Sequence, residues 1–322
     1  MNRLKFLLLL VLLTVVVNAN IFANTPVEQM GQLQVIGTQL SDKNGKPVRL
    51  TGASFGWSNF HPRFYTKEVV KWLKDDWKAN VVRAALGIEP DGGYLQQPAQ
   101  NLKLIETVVE AAIAEGIYVI IDWHAHDIHT AEAKNFFDKM SRKYGKYPNV
   151  IYEIFNEPDH ESWAEVKKYS EEIIQTIRKN DPDNIILVGS PEWDQRIDLV
   201  QKDPIRNVSN IMYTVHFYAG THKQWLRDRT DAAIKNGIPV FLSESGPSEA
   251  DGNGKPDYEE MDRYIDWIIK NNLSWVNWSV SDKKEICSML LPSASSKGNW
   301  KLSDLNESGV KTREYLHKLS QK

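Results

Sequence analysis

The stretch Val150-Ile151-Tyr152-Glu153-Ile154-Phe155-Asn156-Glu157-Pro158 decides how this chain is read. Its apolar, β-branched and aromatic run specifies a buried strand, which ends by presenting an amide and a carboxylate. A second run, Pro239-Val240-Phe241-Leu242-Ser243-Glu244, also ends on a glutamate. Two apolar strands, remote in the chain, each offer a carboxyl at the same end.

Outward from these two runs the chain alternates helices and strands. Amphipathic stretches at Lys67–Lys78, Asn101–Glu115, Glu161–Lys179 and Tyr258–Asn271 carry apolar residues at helical spacing. Short apolar runs lie at Val48–Ser54, Val81–Leu86, Ile117–Trp123, Ile151–Phe155, Ile185–Gly189, Ile211–Phe217, Val240–Ser243 and Trp275–Trp278. Asn or Gly stands at the junctions Asn80-Val81, Gly116-Ile117, Asn149-Val150, Asn184-Ile185, Asn210-Ile211 and Gly237-Ile238. Both residue types tolerate the left-handed conformation that ends a helix. Near-continuous apolar strands between helices indicate a parallel sheet covered by helices. Eight such units predict a (β/α)8 barrel, a single α/β domain over 24–322. No Gly-x-Gly-x-x-Gly follows the first strand, which counts against a dinucleotide fold. The segment Gln32–Val48, with Asn44-Gly45 near its far end, reads as a hairpin covering the bottom of the barrel.

Two positive charges at Arg3 and Lys5, an apolar run from Leu7 to Val17 and small residues at Ala19 and Ala23 have the form of a secretory signal peptide over 1–23. Secretion is therefore expected, with no membrane attachment after cleavage. Cys287 is the only cysteine, so no intramolecular disulfide can form. A net charge of −3 with both signs interspersed argues against a nucleic-acid partner. A monomer is expected. The 11 tryptophans fit either core packing or sugar-stacking surfaces.

Barrel sites lie at the carboxyl ends of the strands. Those ends offer Ser54 to Trp57, Arg83, Asp122-Trp123-His124, Asn156-Glu157, Ser190 to Trp193, His216-Phe217-Tyr218, Glu244 and Trp278. Two carboxyls facing one bond are the equipment of a glycosidase. One protonates the leaving oxygen, and in retaining enzymes the other attacks the anomeric carbon. As the acid, Glu157 should have a raised pKa. As the nucleophile, Glu244 should have donors nearby, with Arg83 and Tyr218 the candidates. Asn156 is placed to hold a sugar 2-hydroxyl, His124 to contact sugar or join a proton network, His216 to orient Tyr218 or reach substrate, and Trp57, Trp193 and Trp278 to stack along a cleft. Lys283 and Glu285 follow the eighth strand and offer partners for sugar hydroxyls. His124, His126 and His129 also suggest a zinc cluster, but Asp127 is out of place for a zinc hydrolase, and no metal is expected.

Taken in order, Val81-Val82-Arg83, Ile121-Asp122-Trp123-His124, Ile151 to Pro158, Val215 to His222, Phe241 to Glu244 and Trp275 to Ser279 resemble family 5 of the glycoside hydrolases. The likeness runs from about Gln32 to Leu316 and is nearest to the secreted bacterial-type endoglucanases of subfamily 2. It implies Glu157 as acid/base and Glu244 as nucleophile. It also implies Arg83, His124, Asn156, His216 and Tyr218 around them, sugar stacking on Trp193 and Trp278, and a glucose contact at Lys283. The implied activity is internal cleavage of β-1,4-glucan with retention, without a cofactor. Two departures stand out: Ser245-Gly246 where relatives often place an aromatic residue, and Ala53 to Asn59 where many carry a histidine. Both leave a mannan-, xylan- or mixed-linkage-directed variant of the same chemistry open.

Overall fold

The computed structural model describes residues 24–321, so the leader expected over 1–23 lies outside them. Eight parallel strands close on themselves: β3 (Thr51–Phe55), β4 (Val81–Gly87), β5 (Tyr118–His124), β6 (Val150–Glu153), β7 (Ile185–Val188), β8 (Ile211–Tyr218), β9 (Val240–Gly246) and β10 (Trp275–Val280). β10 pairs with β3 to seal the barrel. This is the (β/α)8 fold read from the sequence. The main difference lies in where strands end. β8 continues through Tyr218 and β9 through Gly246, so Tyr218 and Glu244 sit on rigid strands rather than on loops.

The surrounding helices include α1 (Lys67–Asp75), α2 (Pro98–Glu115), α3 (Thr130–Tyr144), α4 (Trp163–Arg178), α5 (Gln224–Lys235), α6 (Tyr258–Asn271) and α7 (Glu307–Ser320). α4 starts with a capping box, in which Ser162 and Glu165 satisfy each other's backbone N–H groups. Outward-facing strand residues such as Val82, Val119 and Tyr152 pack with the helices' buried faces in the main core.

The junction residues divide into two kinds. Gly116, Asn210 and Gly237 adopt the left-handed conformation expected of a helix stop, with φ of 68°, 56° and 88°. Asn80, Asn149 and Asn184 do not. Their side chains instead tie neighbouring segments together at the bottom of the barrel. Asn80 accepts from Thr51 N and donates to Arg49 O, Asn149 donates to Ile117 O, and Asn184 donates to Tyr147 O. An amide can satisfy a donor and an acceptor at once, which a glycine cannot.

The N-terminal hairpin pairs β1 (Gln34–Ile36) with β2 (Gln39–Ser41). Its turn is Gly37-Thr38. Asn44-Gly45 makes a second turn, closed by a bridge from Ser41 to Pro47. The hairpin covers the bottom as expected. Leu33 and Leu40 are buried against Val81, Tyr118, Ile120, Ile151, Ile185, Met212, Phe241 and Val276. Each leucine so buried contributes about 2 kcal/mol.

Candidate active site

Above that apolar plug the barrel interior turns polar, and Arg83 organises it. Arg83 sits mid-strand in β4 with no exposed surface. Its Nε donates to Glu153 Oε2 (2.7 Å), Nη1 to Glu244 Oε2 (2.8 Å) and Nη2 to Asn156 Oδ1 (2.6 Å). Asp122 Oδ2 lies 3.0 Å from Nη2. A planar guanidinium with five donors suits this convergence, where lysine would offer one point charge. Burial pushes Glu153 up, but the charges and hydrogen bonds of Arg83 and His216 bring its carboxyl down to about 2. Burial, with the charges of Glu153 and Glu157, pushes Asp122 well up against the pull of Arg83.

Glu244 is held at both oxygens. Arg83 takes Oε2, and the Tyr218 hydroxyl donates to Oε1 (2.7 Å). Both donors anticipated from the sequence are therefore on the carboxylate. A register shift between β8 and β9, where Phe241 to Glu244 oppose Thr214 to His216, inserts one extra residue into β9. The bulge turns both Ser243 and Glu244 toward the interior, which strict alternation would forbid. Gly246 lets Tyr218 approach, since a Cβ there would lie 2.8 Å from Tyr218 Cε1.

Glu157 follows β6 and pairs with His216, whose Nδ1 lies 2.8 Å from Glu157 Oε1. Ser243 donates its hydroxyl to Glu153 Oε1 (2.7 Å), so it can only accept from His216 Nε2 (3.0 Å). With Nε2 committed as a donor, the contact between Nδ1 and Glu157 holds one proton that either group can carry. Burial works against charge on both. Even so, Asp194, Glu153 and Glu157 hold the His216 pKa well above the ordinary imidazole range, and His216 with His126 and His124 brings Glu157 below the usual glutamate value. This reverses the raised pKa anticipated for Glu157. The sequence places no partner beside Glu157, whereas the fold sets an imidazolium against it.

Oxygens of Glu157 and Glu244 fall within 4.8 Å of each other and of a His216 ring nitrogen. They open into a cavity of about 660 Å³ lined by Trp57, His124, Trp193, Tyr218, Trp278, Lys283 and Glu285, among others. Arg83 and His216 lie beneath the floor, 0% and 1% exposed, and bind the carboxylates, so His216 does not reach the cavity as the sequence allowed. Asn156 is also buried, but its Nδ2 has no hydrogen-bond partner among the described residues. His124 stacks on Trp278 with ring centroids 5.0 Å apart, and its Nδ1 meets Asp122 Oδ2 at 2.7 Å. Burial and the nearby Arg83 charge lower its pKa to about 3, so the ring is neutral. Lys283 Nζ pairs with Glu285 Oε2 at 2.5 Å.

His124, His126 and His129 do not converge. His126 stacks on Trp57 and His129 faces Glu89. Among the described residues, no group of three ligating side chains contains two of them.

Trp193 stands on a left-handed turn, with φ of 56°, 55° and 60° at Glu192, Trp193 and Asp194. Such conformations cost roughly 1–3 kcal/mol per residue. Buried Asp194 holds the turn, accepting from Ser190 N (2.5 Å) and from the Thr214 hydroxyl while facing His216 Nε2 at 3.3 Å. Trp193 N donates to Pro158 O (3.0 Å), and Trp193 and Glu157 line the same cavity. Glu153, Asp194 and Ser243 were missed from the sequence. A charge inside an apolar strand was the signal for Glu153, but no comparable signal marks the other two. Ser245, expected to affect sugar choice, is fully buried in the barrel wall, where it accepts from the Trp275 indole (2.7 Å) and donates to Asn277 Oδ1 (2.8 Å). It does not face the cleft.

Residues 41–284 match the family model described as cellulase (glycosyl hydrolase family 5). The chain belongs to glycosyl hydrolase family 5. Within this family it is 44% identical over 287 residues to an endoglucanase of Clostridium saccharobutylicum, covering 87% of this chain and 64% of that relative. The family 5 chain thus spans less than two-thirds of that relative's length. A solved chain from Cytophaga hutchinsonii superposes with a TM-score of 0.91 at 43% identity, covering 92% of this chain and 98% of that one. The catalytic domain of Thermobifida fusca endoglucanase, solved with cellotetraose, gives 0.86 at 34% identity, covering 91% and 100%.

Proposed function

We propose that this family 5 chain is an endo-β-1,4-glucanase that cleaves with retention. The observation that carries the reading is the approach of Glu157 and Glu244 to within 4.8 Å beneath an open aromatic cleft. Direct attack by a carboxylate requires carboxyls about 5–5.5 Å apart, whereas water-mediated inversion requires roughly 6.5–9.5 Å. The endoglucanase names of the relatives and the cellotetraose complex of the Thermobifida fusca domain support a β-glucan as the polymer.

Glu244 is the nucleophile. Arg83 and Tyr218 fix its two oxygens, so little reorganisation precedes attack on the anomeric carbon. Glu157 is the acid/base. The proton shared with His216 moves to Glu157 Oε1 and then to the departing glycosidic oxygen, as the bond from that oxygen to carbon breaks and the bond to Glu244 forms. Water later attacks the glycosyl ester and gives its proton back to the Glu157–His216 pair, and Glu244 leaves as a carboxylate. A neutralising proton one hydrogen bond away serves the purpose of a raised pKa. Asn156 Nδ2, a buried donor without a partner among the described residues, is suited to a sugar 2-hydroxyl. Trp57, Trp193 and Trp278 supply stacking faces, and Lys283 and Glu285 supply polar partners. All these side chains come from one polypeptide, consistent with a monomer. We assign the N-terminal 23 residues to export from their sequence pattern, with residues 24–322 as the catalytic domain. Among the described residues no helix is long and apolar enough to cross a membrane.

Reducing-end release from carboxymethyl cellulose, mannan and xylan tests the reading, with the anomer of the first product followed by NMR. Glucan cleavage giving the β-anomer is the expected result. The α-anomer would overturn retention, and preference for mannan or xylan would overturn the glucanase assignment.

A further inference from the structure

We infer that His126 is a positioning residue for the acid. As Glu157 gives its proton to the departing oxygen, the Nδ1–H of His126 closes on Glu157 Oε2 and holds the carboxylate that results. The inference rests on Glu157 being the acid/base of the glucanase reading. It gives a role to a residue that the sequence offered only as a metal ligand.

Four imidazoles lie within reach of the Glu157 charge: His124, His126, His216 and His222. Three are committed elsewhere or shut away from the cleft. His216 Nδ1 takes Oε1 at 2.8 Å from beneath the floor. His124 Nδ1 meets Asp122 Oδ2 (2.7 Å), and His222 Nδ1 accepts from Tyr218 N (2.7 Å). Burial lowers the His124 pKa to about 3 and the His222 pKa to about 4, so both rings are neutral. His126 differs in each respect. Its side chain is 34% exposed, it lines the cavity, and Nδ1 stands 3.9 Å from Oε2, the oxygen that His216 leaves untouched. That separation exceeds a hydrogen bond, so this edge of the ring is not spent on Glu157 before substrate arrives. Catalytic contacts are often long in the empty enzyme and tighten as charge develops.

The backbone holds the two side chains to each other. Glu157 N donates to Ala125 O (3.2 Å), which joins the acid to the residue before His126. Glu89 Oε1 accepts from His126 N (3.1 Å) and Asp127 N (3.2 Å), pinning the loop that follows β5. The imidazole stacks on Trp57, with centroids 5.8 Å apart and planes 23° apart. Stacking occupies one face and leaves the nitrogen edge free. A slide of about 1 Å along the indole brings Nδ1 to hydrogen-bond length.

No proton leaves His126. The Glu157 proton goes to the glycosidic oxygen, the bond from that oxygen to the anomeric carbon breaks, and the bond from Glu244 to that carbon forms. The carboxylate left on Glu157 is then bracketed by His216 at Oε1 and His126 at Oε2. When water attacks the ester and Glu157 recovers a proton, the His126 contact lengthens again. A donor aimed at charge that develops on the acid favours the transition state over the ground state. It helps leaving groups that need a proton and is idle for those that depart without one.

The test is kcat/KM, which reports the first bond cleavage, on aryl β-cellobiosides from dinitrophenyl to poorer leaving groups and on cellotetraose. Wild type, His126→Phe, His126→Asn and Glu157→Gln are compared. His126→Phe keeps an aromatic face for Trp57 and removes the donor. It should lose less than about twofold on the dinitrophenyl glycoside and fall to about one-tenth of wild type on cellotetraose. His126→Asn puts an amide N–H near the place of Nδ1 and should stay within about twofold of wild type throughout. An equal loss across all leaving groups, no loss at any, or the same selective loss in both His126 variants would overturn the inference while leaving the acid assignment intact. Glu157→Gln should lose most on the poorest leaving group. If its loss does not depend on the leaving group, the acid assignment falls and the inference falls with it.

Discussion

The two ends of this barrel are built from the same eight strands, yet they answer to different physics. At the amino ends, Leu33 and Leu40 seal an interior of Val, Ile, Met and Phe side chains together with Tyr118. At the carboxyl ends, the interior holds Arg83, Asp122, Glu153, Asp194, His216 and Glu244, each at most 4% exposed. The bottom is stabilised by dry packing that tolerates swaps of equal volume. The top carries charges whose burial costs several kcal/mol each and is offset only while every partner stays in place. The bottom thus maintains the fold, and the top holds geometry at a cost in stability.

This contrast can be broken most severely at Glu244. Glu244→Gln keeps size and shape but removes the carboxylate charge that the proposed function assigns to attack. Turnover should fall on the order of 10⁵-fold, with an unchanged circular dichroism spectrum; residual activity near wild type would reassign the nucleophile. Gly246→Ala tests the same end without touching a titratable group. The added methyl would press on Tyr218 and shift its hydroxyl from Glu244. We expect kcat to fall roughly 10²-fold, with KM little changed.

At the other end, Leu40→Ala should leave kcat untouched and lower unfolding stability by about 2–5 kcal/mol in denaturant titration. A matching loss of activity would show that the two ends are coupled. The smallest effect is a pH dependence. His216 is held above its unfolded value, so its stabilisation is full below roughly pH 6.5 and is lost as pH rises through its folded-state value. Glu157 is depressed, so its contribution is full above roughly pH 4.3 and is lost as pH falls through its folded-state value. The thermal-midpoint gap between wild type and His216→Asn should therefore be widest between these limits and close at alkaline pH. A gap that widens toward alkaline pH would mean that the imidazole is neutral in the folded state.

Much of the site was legible because strands reveal their ends. Apolar runs that stop on Asn156-Glu157 and Glu244 announce both their secondary structure and the carboxyls they carry, since few apolar strands end so without a use. The same logic located His124, Tyr218 and Trp278. It put His216 within reach of substrate, where the fold buries it, because sequence gives the end of a strand but not the depth of a side chain. Ser243 and Asp194 escaped because ordinary residues acquire a role only through what the fold sets beside them. Ser245 was expected at the cleft because its position beside Glu244 suggested proximity, but past the bulge the strand alternates and buries it against Trp275.

The eight-fold alternation, the barrel it requires, the lid at its base and the pair of glutamates were determined by residue order alone, because periodicity and β-propensity act locally. The tertiary structure decided the rest. It put one extra residue into β9 so that Ser243 and Glu244 share a face, and it set His216 against Glu157 so that the two share a proton. Each of these depends on distances between segments far apart in the chain, and such distances exist only once the sheet has closed.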